Sequence, residues 1–287
     1  MTVIELIERM SARLDQAGVS FGHGTTCAFD EAAWLVLWRL GLPMIDLDAV
    51  AELAVASEQQ AEVQALVETR ISTRKPAAYL TQEAWLQGVP FYVDERTIVP
   101  RSFIAEVLAD GSIDPWLGAH TRRVLDLCTG NGSLAVLAAM AYPDVQVDAT
   151  DISPDALAVA RINVDRHGLQ DRITLIQSDG LAGVSGPYDL ILCNPPYVPT
   201  ATMDTLPAEY RAEPALALAG GAEGMAFIRP LLLNAAHYMT PHAPLILEIG
   251  HERAHLEQAF PRLDAVWLDT QAGTDAVLLL TCEALPR

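Results

Sequence analysis

Two short stretches of this 287-residue chain carry groups able to do chemistry. The first is Asp189-Leu190-Ile191-Leu192-Cys193-Asn194-Pro195-Pro196-Tyr197. Its apolar run reads as a buried strand. It stops at an amide side chain followed by two prolines. Each proline lacks an N–H, has a fixed φ and drives the residue before it towards an extended conformation. Asn194 and Pro195 are therefore held extended, and Pro195 and Pro196 offer carbonyls without competing donors. With the Asn194 side-chain oxygen they make a stiff set of acceptors at a strand's carboxyl end. Such a set suits a substrate –NH2, whose two N–H bonds are gripped from one side. Asn-Pro also ends strands without any further role, and the second stretch is what strengthens the chemical reading.

That stretch is Val124-Leu125-Asp126-Leu127-Cys128-Thr129-Gly130-Asn131-Gly132-Ser133, a strand, a Gly-rich turn and the start of a helix. Gly130 and Gly132 permit a tight turn and close approach of a ligand to the backbone. Asp151, followed by Ile152, ends the next strand, where a carboxylate accepts hydrogen bonds from ribose hydroxyls. Asp179 ends the third, within reach of an exocyclic amine. The spacing Gly130-x-Gly132-x-x-Ala135 also satisfies the loose dinucleotide fingerprint. Asp126 decides between the two cofactors. A carboxylate four residues before the turn repels a pyrophosphate and attracts the ammonium and sulfonium of a methionine moiety. At ~4 Å and an effective dielectric of about 20, that sign difference is worth several kcal/mol. S-adenosyl-L-methionine, leaving as S-adenosyl-L-homocysteine, is favoured over NAD. A turn-bonding role is the bland alternative for Asp126 and Asp179.

A methyl donor beside an –NH2 grip implies N-methylation. An amide nitrogen is a poor nucleophile because its lone pair is delocalised, and it needs orientation more than a base. Asn194 Oδ1 and the Pro195 carbonyl accept its two N–H bonds and aim the lone pair. Tyr197 is expected to pack against the planar group.

The elements that must position these residues fall into three parts. Residues 1–75 read as a helical domain, with helices over 2–17, 29–40, 47–56 (capped by Asp46) and 58–73 (capped by Ser57). Trp34, Leu35 and Trp38 share one face of the second. Residues 76–110 form a connector. Gln87-Gly88 turns a hairpin, Thr97–Val99 is a third extended piece, and Ser102 caps a helix over 103–109. From 111 to 287 strands and helices alternate, which predicts an α/β domain on a largely parallel sheet. Strands are expected at 122–127, 145–150, 172–177, 188–193, 243–249, 264–269 and 275–281, the last two paired antiparallel. Helices are expected at 132–141, 154–166, 223–239 and 251–260. This is the seven-stranded, Rossmann-like class I architecture of S-adenosylmethionine-dependent methyltransferases, whose ligands bind beyond the strands' carboxyl ends.

With 51% apolar and 19% charged residues, the composition is that of a soluble globular protein. Eighteen basic residues against 37 acidic ones leave a net charge of −19. That balance argues against direct nucleic-acid binding, which wants a basic face, and favours a basic partner. Cys27, Cys128, Cys193 and Cys282 are scattered, as in a reduced cytoplasmic protein. No apolar run is long enough to span a bilayer, and the amphipathic start is unlike a signal peptide.

The motifs resemble the glutamine methyltransferases of the HemK/PrmB group, which modify a Gln side-chain amide in translation proteins. Asp126-x-Cys128-Thr129-Gly130-x-Gly132 and Asn194-Pro195-Pro196-Tyr197 match the whole group. Ala78-Tyr79-Leu80-Thr81-x-Glu83-Ala84-Trp85, Phe91–Arg96, Val99-Pro100-Arg101-Ser102 and Leu206-Pro207-Ala208-Glu209-Tyr210-Arg211-x-Glu213-Pro214 look like its ribosomal branch. That likeness implies methylation of large-subunit ribosomal protein L-three, a basic substrate, with residues 1–75 as the substrate-docking domain. It also implies a catalytic set of Asn194, Pro195, Pro196 and Tyr197. The cofactor set is Asp126, Cys128, Thr129, Gly130, Asn131, Gly132, Asp151, Ile152, Asp179 and Asn194. Two positions depart from the branch: Phe103 stands where it has proline, and Gly180-Leu181 stands where an aromatic follows Asp179.

Three other readings compete. A release-factor methyltransferase would show an acidic-Thr-Glu sequence after Pro100-Arg101, which is absent. An adenine N-methyltransferase would need a basic surface for phosphates. His251-Glu252-Arg253-Ala254-His255 matches the zinc-peptidase pattern H-E-x-x-H, but with no further His downstream as a third ligand it reads as coincidence.

Overall fold

The computed structural model describes residues 1–44 and 46–286. Among these, no helix is long and apolar enough to cross a membrane.

The chain begins with α1 (Val3–Ala17), opened by a reciprocal cap in which Thr2 and Glu5 each accept the other's backbone N–H. Next come α2 (Ala28–Leu40), α3 (Leu47–Val50) and α4 (Ser57–Thr73). Helix α3 is a single turn, shorter than expected, although Asp46 does cap it by accepting from the Ala49 amide at 3.2 Å. Ser57 is inside α4, not its cap; Ala56 holds that place, its N–H donating to the Gln59 side chain. Trp34 and Leu35 are buried, but Trp38 is 36% exposed at the rim of α2.

The helical core does not stop at residue 75. It takes in Tyr79 of α5 (Ala77–Thr81) together with Ala84, Val93 and Val99 of the connector. The hairpin pairs β1 (Ala84–Leu86) with β2 (Val89–Phe91), Trp85 opposite Pro90. Gln87 and Gly88 both have positive φ, 50° and 73°, which gives the turn the hand that suits twisted strands. Thr97–Val99 joins no strand. Phe103, not Ser102, precedes α6 (Ile104–Ala109) as its cap residue.

The large sheet comprises β3 (Arg123–Leu127), β4 (Gln146–Asp151), β5 (Ile173–Gln177), β6 (Leu190–Cys193), β7 (Pro244–Glu248), β8 (Val266–Thr270) and β9 (Gly273–Thr281). Their order is β5-β4-β3-β6-β7-β9-β8, with β9 alone antiparallel to its neighbours. The remaining helices are α7 (Ser133–Ala141), α8 (Pro154–Arg166), α9 (Thr200–Met203), α10 (Ala208–Arg211), α11 (Ala215–Leu218), α12 (Ile228–Asn234) and α13 (Arg253–Ala259). Three of them, α9–α11, are one-turn pieces with no counterpart among the expected elements. Helix α12 is shorter than 223–239 and continues as a 3₁₀ turn over Ala235–Tyr238.

Strand alternation sorts the side chains onto two faces. Val124, Leu190, Leu192 and Ile246 enter the core that includes Leu134–Ala139 of α7. Leu125, Leu127, Ile191, Cys193, Leu245 and Leu247 enter the core beneath α12 and α13. Strand order reverses between β3 and its neighbours β4 and β6. The crevice at that switch point, beyond the carboxyl ends, is where α/β sheets hold ligands.

Candidate active site

The turn after β3 needs left-handed backbone three times: Cys128 at φ 62°, Gly130 at 56° and Gly132 at 82°. For Cys128 this is a costly conformation, of a kind that collects at functional sites. A Cβ on Gly132 would stand 3.1 Å from Ala160 Cβ, so the glycine lets the turn sit down on α8. A Cβ on Gly130 would meet nothing within 4 Å, because that face opens on a cavity. The Gly130 amide donates to Asp151 Oδ2 at 2.9 Å, and Ser153 N donates to Asp151 Oδ1 at 2.9 Å. Burial raises the Asp151 carboxyl above its usual range despite those two bonds. Asp151 thus braces the turn while it lines the cavity.

One cavity gathers most of the expected residues. The carboxyl ends of β3 and β4 contribute Cys128, Thr129, Gly130, Asn131, Asp151 and Ile152. Beyond β5 and β6 come Asp179, Asn194 and Pro196. Thr150 Oγ1 and Asn131 Nδ2, both in this lining, are buried without a hydrogen-bond partner among the described residues. Neither the Asn194 side chain nor the Pro195 carbonyl is bonded within the protein among the described residues.

Four expected residues are outside that lining, one of them Gly132, which packs on Ala160 of α8. Asp126 does not line the cavity. Alternation places it on the face under α7, fully buried, where it accepts from Thr129 Oγ1 at 2.5 Å and Ala135 N at 3.0 Å. Its Oδ1 has no partner among the described residues. Burial lifts its carboxyl to about 7, against the pull of both hydrogen bonds. Asp126 therefore ties the turn to the helix that follows. Pro195 is buried behind the cavity wall. Tyr197 also lies outside the lining: its hydroxyl donates to Glu248 Oε1 at 3.0 Å. Its ring fills the space where a Gly250 Cβ would be, 2.5 Å from Cε2. Burial and the adjoining Glu248 keep its phenol protonated. Through these contacts Tyr197 anchors the Asn194–Pro196 segment.

Several residues that hold the site were not legible as such. Glu248, the one acid in apolar β7, accepts from Tyr197 and also from Ser102 Oγ at 2.6 Å and Phe103 N at 2.9 Å. It joins the connector to the strand end, and burial raises its carboxyl. Arg101 lines the cavity and grips Glu213 with two bonds, 2.6 and 2.7 Å. Val99 N donates to the same carboxylate at 2.9 Å. Burial opposes ionisation of Glu213, but Arg101 and the neighbouring His23 outweigh it and hold the group at about 2. That clasp fixes Pro214, Leu216 and Ala217, which line the same cavity. Asn163, an unremarkable polar residue of α8, bonds Tyr92 N and O and also Asn131 O, joining the hairpin to the Gly-rich turn.

The H-E-x-x-H pattern does not form a ligand pair on one helix. Helix α13 begins at Arg253, so His251 precedes it, and His255 Nδ1 lies 2.6 Å from Glu252 Oε2.

The comparisons with known proteins agree with this geometry. The methyltransferase small domain family model matches residues 108–210. A methyltransferase from Pyrococcus furiosus superposes with a TM-score of 0.50 at 17% identity, covering 79% of this chain and 98% of that one. The hMettl16 catalytic domain, solved with a MAT2A 3′UTR hairpin, gives 0.53 at 12% identity, over 80% and 83%. These two show the fold alone. A ribosomal protein uL3 glutamine methyltransferase of Bordetella pertussis is 51% identical over 99% of this chain and 96% of its own length. One from Neisseria meningitidis serogroup B is 47% identical over 99% and 94%. One from Bradyrhizobium diazoefficiens is 44% identical over 99% and 92%. With 44–51% identity over nearly the full length joined to a seven-stranded sheet of the class I kind, the chain belongs to the ribosomal protein uL3 glutamine methyltransferase family.

Proposed function

We propose that this protein methylates the side-chain amide nitrogen of a glutamine in ribosomal protein uL3, with S-adenosyl-L-methionine as donor. The observation that carries the reading is the opening of Asn194 onto the cavity framed by the β3 turn and Asp151. The lining fits the donor: an open Gly130 face, a carboxylate at Asp151, and unpartnered polar atoms on Thr150 and Asn131. When bound, the donor supplies an electrophilic methyl carbon on a sulfonium. Asp151 and Ile152 would hold its ribose side, Asp179 its exocyclic amine, and Cys128–Gly132 its amino-acid end.

The chain's own part is positioning. Asn194 Oδ1 accepts one amide N–H, and the Pro195 carbonyl, buried but without a protein donor among the described residues, accepts the other as the amide enters. Together they fix the plane of the carboxamide and the direction of its lone pair. The prolines keep those acceptors extended and free of competing donors. Below them Tyr197, Glu248 and Ser102 form a buried relay of hydrogen bonds that stops the strand end from shifting. Preorganised dipoles of this kind contribute most where water is excluded. The methylated amide nitrogen is acidic enough to give its proton to solvent, so no side chain need act as base. The net charge of −19 favours encounter with a basic ribosomal protein.

The test is transfer of a labelled methyl group to purified uL3, read by mass spectrometry at glutamine. Asn194→Ala is expected to lower turnover by at least about 100-fold, the scale of losing one such acceptor, while S-adenosyl-L-homocysteine still binds. Undiminished turnover in that variant would sink the scheme. Modification of a release factor or of nucleic acid in place of uL3 would reassign the substrate.

A further inference from the structure

The nucleoside end of the cavity poses a question that the local sequence does not answer. Asp179 reaches it from the loop after β5, but the next residue is Gly180, which brings no side chain. Gly180 sits at φ 53°, and a Cβ built on it would lie 3.7 Å from Phe227 Cε2 and 3.9 Å from Cζ. The space that a side chain at 180 would enter is thus bordered by an aromatic ring from 47 residues downstream (227 − 180). Phe227 caps α12, is only partly buried, and lines the same cavity as Asp151, Ile152 and Asp179. Phe227 is the aromatic residue in that lining.

We propose that Phe227 is the wall against which the donor's nucleobase stacks, in ordinary contact range of the side-chain position that Gly180 leaves empty. The proposal rests on the S-adenosyl-L-methionine reading above and adds the residue that selects a flat base. Every base has a polarisable face, and an aromatic ring gives it a partner that an aliphatic side chain does not match. Asp179 then reads the base edge and Phe227 its face. The wall and the edge come from different elements, so α12 must be docked for the subsite to exist.

The experiment is calorimetric titration of S-adenosyl-L-homocysteine, and separately adenosine, into the wild-type protein and the variants Phe227→Ala, Phe227→Leu and Phe227→Tyr. Loss of one base stack corresponds to roughly tenfold in affinity. Phe227→Ala and Phe227→Leu are expected to lose that factor for both ligands, and Phe227→Tyr to stay within about twofold. Equal losses for the two ligands place the contact on the nucleoside. Wild-type affinity in Phe227→Ala, or a loss in Phe227→Tyr as large as in Phe227→Ala, overturns the wall and leaves the donor site standing. Failure of the wild type to bind S-adenosyl-L-homocysteine would instead overturn the donor reading. A nuclear Overhauser contact between labelled Phe227 ring protons and adenine H2 or H8 in the wild type gives the same answer without any variant. Absence of that contact in a saturated complex counts against the proposal.

Discussion

The proposed chemistry rests on Asn194 as an acceptor, with no side chain assigned as a base. The Asn194 side chain lines the cavity without a protein partner among the described residues, while Asp151, Glu213 and Glu248 accept from backbone N–H groups. Asp126 is the sharpest case: a carboxylate that charge arguments aim at a ligand instead ties Thr129 to α7. Glu213 carries a stability consequence with a definite sign. Its folded value, about 2, lies below the ordinary 4.5. Its contribution is therefore fully present above about pH 4.5 and is lost as pH falls towards 2. A shift of that size corresponds to about 3 kcal/mol. Urea midpoints measured from pH 6 to pH 3 should fall more steeply for the wild type than for Glu213→Gln. Parallel slopes would remove Glu213 from the account of acid sensitivity.

Among elements, the segment from β6 to α12 matters most. It begins with the stiff Asn194–Tyr197 corner, continues through α9–α11, and returns to the cavity with Leu216 and Phe227. The corner is locked from outside by a glycine. Gly250 has φ 56°, and Tyr197 occupies the place of its missing side chain. Gly250→Ala must push the ring away from Glu248 and strain its own backbone. Overpacking of this kind costs about 1–3 kcal/mol. The variant should melt earlier and turn over more slowly, with the loss in kcat exceeding any rise in KM for the donor. An unchanged kcat in a folded Gly250→Ala protein would show that the Tyr197 anchor does not set the corner.

Across the whole molecule, the helical part and the sheet part are joined by buried charge. Arg70 is fully buried and bonds Glu31 at 2.9 Å, Glu209 at 3.2 Å and the Ser20 carbonyl at 2.9 Å. The His23 ring packs 4.3 Å from that of Tyr210 and lies beside Glu213. Helices α1–α4 therefore support the loop that lines the cavity, and the substrate-docking role expected for residues 1–75 does not exhaust what they do. Cutting residues 1–75 away would uncover Tyr79, Val93 and Val99 and take Arg70 and Arg74 from Glu209. Arg70→Met is the cleaner test. It leaves Glu31 buried without its cation and Glu209 with Arg74 alone, and breaking a buried pair in this way costs about 3–5 kcal/mol. Denaturation should show that loss, and donor affinity in the folded fraction should fall because Pro214–Ala217 loses its support. A variant as stable as the wild type would mean the clasp contributes nothing net.

The sequence by itself determined the sheet, the hairpin, the β3 turn and the Asn194 corner. Each of these is written in local terms: alternation and apolar runs for strands, glycines where φ must be positive, prolines where a strand must stop. It also carried the charge and the family pattern. What it could not contain were contacts between residues far apart in the chain. Phe227 beside Gly180, Glu248 under Tyr197, Arg101 on Glu213 and Asn163 between hairpin and turn have no local signature, because long-range packing alone brings them together. Asp126 fell between the two. Its place before the turn was legible, but the direction of its side chain was settled by which face of β3 lies under α7.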